Sequence, residues 1–136
     1  YWHRSKMMHA AARATGEERR RALLAHARRV AAAPTPQAAK RAGQKSKAFG
    51  MRLSASELDG WAEAAQALQV RICLRKMEYP DVRAYLESTG ERKLLHQDNR
   101  ARANTAWGAR IKEGVVIGKN GLGRTWMAVR ASVRAP

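Results

Sequence analysis

The stretch Gly118-Lys119-Asn120-Gly121-Leu122-Gly123 runs straight into Arg124-Thr125-Trp126-Met127-Ala128-Val129-Arg130. Three glycines within six residues leave little to pack, and they permit positive φ and close approach of the backbone to another group. From there Leu122, Trp126, Val129 and Val133 recur at helical spacing. The pattern predicts a tight turn that opens a packed helix. A glycine-rich turn at a helix start can also offer free backbone N–H groups to an anion.

Working outward, Asn104-Thr-Ala-Trp107-Gly108 precedes the turn, with Arg100, Arg102 and Arg110 flanking Trp107 in what reads as loop. Lys93-Leu-Leu-His96 is short and apolar enough for a strand or a buried turn. Further back, Pro80 suits the first turn of a helix, with Val82, Tyr85 and Leu86 facing inward and Thr89-Gly90 as its stop. Ser54-Ala-Ser-Glu57 has the capping-box pattern before an apolar run. The helix expected after it puts Leu58, Trp61, Ala65, Leu68 and Ile72 on one stripe and ends by Tyr79.

The N-terminal part reads as helix over 1–14 and again over 17–33. In the second, Leu23, Leu24, Ala27 and Val30 share a face, and Arg21 and Arg28 share the opposite one. Pro34-Thr-Pro36 ends it. The segment 37–49 reads as a short helix broken near Gly43, and it carries Lys40, Arg41, Lys45 and Lys47. The expected fold is therefore mainly α with minor β: one compact domain over 1–136, with its core on Leu58, Trp61, Leu68, Ile72, Leu122, Trp126 and Val129.

Lys and Arg number 27 against 11 Asp and Glu, a formal net charge of +16. An excess of that size points to a polyanionic partner, nucleic acid first. Arg21, Arg28, Lys40, Arg41, Lys45, Lys47, Arg100, Arg102 and Arg110 are the candidate phosphate contacts. No apolar run approaches the roughly 18 residues of a membrane span. The single Cys73 cannot form an internal disulfide, which fits a reducing, intracellular setting, mitochondrion or cytoplasm. No metal is expected, because His3, His9, His26 and His96 lack the paired spacing of a zinc motif. The glycine turn is not a P-loop, since no Gly-Lys-Ser/Thr follows, and no cofactor is expected. Glu17, Glu18, Glu57 and Asp81 sit where helix starts favour acids. His96, after two leucines, is expected to be packed.

In order and spacing, these pieces resemble the NADAR family of YbiA-like N-glycosidases along nearly the whole chain. Tyr1-Trp-His-Arg-Ser-Lys6 is similar to the end of the family's first motif, which closes with lysine. Ala39-Lys-Arg-Ala-Gly43 is similar to its Ala-x-x-x-Gly segment, and Trp61 with Leu74-Arg-Lys76 to its long helix. Leu86-Glu-Ser-Thr-Gly90, Trp107-Gly108 and the glycine turn with Met127-Ala-Val-Arg130 complete the series. The resemblance implies a mostly helical domain that cleaves a ribose–nitrogen bond in riboflavin intermediates or removes ADP-ribose from guanine. It also implies roles. Lys6, His96 and Asn104 occupy family catalytic positions, with Lys6 lining the sugar. Trp107 is a pocket wall, Lys119 and Asn120 hold phosphate or ribose hydroxyls, and Gly108 and Gly123 are further substrate-binding positions.

The chain departs from that pattern where charge matters. A Glu-His pair normally precedes the position of Tyr1. His96 and Asn104 stand where the family has acids, Trp-Gly is followed by Ala-Arg110, and Met7 and Met77 replace phenylalanines. A ribosyl cation needs negative potential nearby, so these changes oppose the reaction. Two functions follow. One is a repurposed NADAR-like scaffold that binds RNA within a ribonucleoprotein such as an organellar ribosome. The other is an active N-glycosidase whose upstream residues supply the acid and whose basic face grips a nucleotide or ADP-ribose-type ligand.

Overall fold

The computed structural model describes residues 2–44 and 51–134. Six α-helices and one two-stranded hairpin occupy them, so the chain is mainly α with minor β. It divides into two units, 1–66 and 67–136, with the boundary inside the fourth helix.

The first unit holds α1 (Trp2–Arg13), α2 (Glu17–Ala31), α3 (Pro36–Gln44) and the start of α4 (Trp61–Lys76). Gly16, at φ +97, makes the turn between α1 and α2. Met7, Ala10 and Ala11 then pack on Leu23 and Ala27. The alanines let the two helices approach closely, and burying Leu23 contributes about 1.5–3 kcal/mol. Arg21 and Arg28 are exposed on the far side of α2, as the spacing predicts. His26 is buried on α2, and burial lowers its pKa while the main chain of Ala42 pulls the other way. Gly43 is glycine because any Cβ there would overlap the His3 side chain. Trp61 meets Trp2 edge-on at 5.3 Å.

The capping box forms, but not where its pattern suggests. Ser54 N donates to Glu57 Oε2 at 2.8 Å, and Glu57 N donates to Ser54 Oγ at 3.1 Å. They cap only a short 3-10 turn, Ser56–Leu58, after which Gly60 at φ +65 breaks the chain before α4 begins at Trp61. Glu57 also takes a two-pronged bond from Arg19, Nε to Oε1 at 2.7 Å and Nη2 to Oε2 at 3.0 Å.

The second unit holds the rest of α4, α5 (Pro80–Ser88), β1 (Arg110–Lys112), β2 (Val115–Ile117) and α6 (Gly121–Arg134). Its core is Cys73, Met77, Leu86 and Val129, flanked by Val82, Leu94, Leu122, Trp126 and Val133. Of the expected α4 stripe Ala65 is buried, but Leu68 and Ile72 are only half-buried, and Cys73 with Met77 just past the helix faces inward instead. Alanine, leucine, valine and isoleucine occur on every side of α4, so spacing alone does not single out one face. Tyr85 is also corrected. It points out of α5 and is 77% exposed, while Val82 and Leu86 turn in.

Arg110 lies in a strand rather than a loop, pairing with Ile117 in an antiparallel hairpin. Glu113 and Gly114, both at positive φ (52° and 77°), form its two-residue turn. Two arginines one turn apart on α6 tie it to the end of α5. Buried Arg130 donates to Thr89 Oγ1 at 2.6 Å and to Arg92 O at 3.0 Å. Arg134 Nη2 donates to Glu87 O at 2.6 Å.

Candidate functional site

Residues 94–123 assemble around the start of α6. Gly118, at φ +108, lies against the neighbouring segment so closely that a Cβ would come 2.5 Å from Gly108 O. The next four residues clamp onto the same stretch. Lys119 N donates to Thr105 O at 2.8 Å, Gly121 N to Ala106 O at 2.9 Å and Leu122 N to Trp107 O at 3.1 Å. The N–H groups of Gly121 and Leu122 that an anion would need at this helix start are thus engaged by the main chain. The turn is a folded strap.

Asn120 is its pin. It sits at φ +49, a conformation asparagine tolerates better than most residues. Its Nδ2 donates to Leu94 O at 2.8 Å, and its Oδ1 accepts from His96 N at 2.9 Å. The carboxamide therefore holds the 94–96 segment to α6 with both ends. Gly123 completes the fit, because a Cβ there would overlap Leu94 O and the Asn120 side chain. His96 O in turn accepts from Ala109 N at 2.9 Å, and Gln97 bridges in parallel to Ala109.

The residues that the sequence resemblance picks out in this unit thus converge, but mainly through backbone. Trp107 is half-buried, with its ring against Gly121. The side chains of His96, Asn104 and Lys119 are exposed, so His96 is not packed as its leucine neighbours suggest. Asp98 was not singled out from sequence. It is half-buried, its Cβ lies against Gly108, and its Oδ1 accepts from Arg100 N at 3.0 Å. Its signal in the sequence is the Asp-Asn-Arg turn, which is common to surface loops.

No family model matches the chain. No curated protein and no solved structure matches it either.

Lys6 belongs to the first unit. There it lies half-buried on α1, close enough to His3 to depress its pKa. Burial lowers the pKa of His3 first, and the charges of Lys6 and Lys40 lower it further. Lys6 and Lys40, assigned to different roles by sequence, thus both act on His3. Arg21, Arg28, Lys40 and Arg41 are all exposed on α2 and α3, with Arg21 paired to Glu17 at 2.9 Å. Arg100 and Arg102 are exposed in the second unit, and Arg110 is half-buried with one donor to Asn99 O at 3.4 Å. Lys45 and Lys47 lie outside the described residues. Among the described residues no His, Cys, Asp and Glu cluster could hold a metal, and no helix is long and apolar enough to cross a membrane.

Proposed function

We propose that the chain is a NADAR-like scaffold with impaired catalysis, acting as a basic RNA-binding component of a ribonucleoprotein, for which an organellar ribosome is one setting. The observation that carries this reading is charge. With 27 cations and 11 acids, most cations have no acid of their own to pair with, and a polyanion supplies the missing partner. Arg28, Lys40 and Arg41 add exposed positions on α2 and α3 from which phosphates can be reached. The impaired catalysis is supported by the strap, whose Asn120 carboxamide and first helical N–H groups are already bonded within the chain.

One observation favours the alternative N-glycosidase reading. Asp98 lies against Gly108, a position the NADAR resemblance gives to substrate, and a ribosyl cation needs a carboxylate nearby. Its bond to Arg100 N makes it a turn-forming group first. The test of the RNA reading is affinity for several unrelated RNAs, measured with the purified chain and with Lys40→Ala/Arg41→Ala. Loss of both cations is expected to weaken every single-stranded RNA alike and to reduce the salt slope by about 1.4. Unchanged affinity, or loss confined to one RNA sequence, would overturn the assignment of this face.

A further inference from the structure

Beside α5 lies a cleft of about 290 Å³, lined by Tyr85, Ser88, Thr89, Arg92, Lys93 and Leu94. That is just below the roughly 300–1,000 Å³ that ligand sites occupy, room for no more than one ring system. Tyr85 stands at its rim with 77% of its surface exposed, although the same helix buries Leu86. We propose that this cleft takes one unpaired base of a single-stranded RNA, stacked on Tyr85, with the adjoining phosphate held by Arg92 and Lys93; the proposal rests on the RNA-binding reading above.

The wall of the cleft is already braced. Ser88 Oγ donates to Tyr85 O at 2.7 Å, and Thr89 Oγ1 donates to Leu86 O at 2.5 Å while accepting from Arg130. These hydroxyls are engaged in holding the end of α5, so recognition falls to the aromatic face and to charge. Stacking on an aromatic ring tolerates any base, since every base has a π-face. Arg92 is fixed at the mouth by Nε to Thr89 O at 3.0 Å and Nη2 to Ser88 O at 2.8 Å, which leaves its other N–H donors for a phosphate. Lys93 is exposed and has no ion pair among the described residues. The neighbouring Glu91 carboxylate is countered by Arg134 at 2.9 Å, so it does not cancel the cations. An exposed ring on a cleft that two cations also line suits a nucleotide better than an apolar partner.

The test uses the purified chain and a fluorescein-labelled uridine oligonucleotide about ten nucleotides long, within the span such sites cover. Tyr85→Ala is expected to weaken binding about five- to a hundredfold without altering the salt slope, and Tyr85→Phe to stay within about twofold. Lys93→Ala is expected to lower the slope by about one. An abasic oligonucleotide of equal length should bind the unaltered protein about as weakly as the uridine one binds Tyr85→Ala. Steep salt-dependent binding that is indifferent to Tyr85→Ala and to removal of the bases overturns the base site and leaves the RNA reading standing. Absence of binding by the unaltered protein overturns both.

Discussion

Replacing Glu57 by glutamine removes one charge from a buried carboxylate that accepts three hydrogen bonds. It is 5% exposed, receives Arg19 on both oxygens and Ser54 N on Oε2, and donates its own N–H to Ser54 Oγ. The Arg19 hydrogen bond, chief among these, holds its pKa down from 4.5 to about 2. That depression corresponds to about 3 kcal/mol of folding free energy at neutral pH. The side chain of Arg19 is 29% exposed and regains some solvation when the pair is lost, so Glu57→Gln should cost about 2–3 kcal/mol. Because the folded pKa lies below the unfolded one, the contribution is complete above pH ~4.5 and disappears as pH falls toward about 2. Urea unfolding followed by circular dichroism, at neutral pH and through the acid range, measures both features. Equal stability of the two proteins at pH 7, or a difference that does not shrink in acid, would refute the reasoning.

The strap at the start of α6 predicts that Asn120→Ala loses both bonds to 94–96 and places alanine at positive φ, costing about 2–3 kcal/mol; faster hydrogen exchange at His96 N would show it. Asn120→Gly keeps the permitted φ and should cost less, so equal effects would contradict the strained-turn account. Burial lowers the pKa of both His3 and His26, with Lys6 and Lys40 adding to the first and Arg29 to the second. Both lowered values make stability complete above pH ~6.5 and make it fall as the solution is acidified below that; a melting temperature that rises on acidification would be the wrong sign. For chemistry, the purified chain is expected to release no base from pyrimidine ribosylamine phosphates or ADP-ribosylated guanosine. Turnover that Lys6→Ala abolishes would mean the N-glycosidase reading is right.

Local punctuation was legible in the sequence, and helix facing was only partly so. Pro80, the Thr89-Gly90 stop and the leucine face of α2 act through neighbours a few residues away, and they stand as the pattern predicts. The glycine turn reads correctly as the opening of a packed helix. Which groups close over its N–H donors was not legible, because they come from residues 105–107 through tertiary pairing. Ser54 and Glu57 show the same limit. The box itself is local, but Gly60 interrupts the helix and Arg19 claims the carboxylate from far along the chain. In α4 apolar residues encircle the helix, so only its neighbours decide that Cys73, and Met77 just beyond it, turn inward. Tyr85 was misread because an aromatic residue beside a buried leucine looks like core until its exposure is known.

If the excess of positive charge serves to meet RNA phosphates, as proposed, the slope of log affinity against log salt shows it most directly. If Arg21, Arg28, Lys40 and Arg41 each neutralise one phosphate, that slope is about −3 or steeper for single-stranded RNA. Raising salt from about 50 to 200 mM should then weaken binding by about 50-fold or more. An affinity that holds constant across that range would contradict the account.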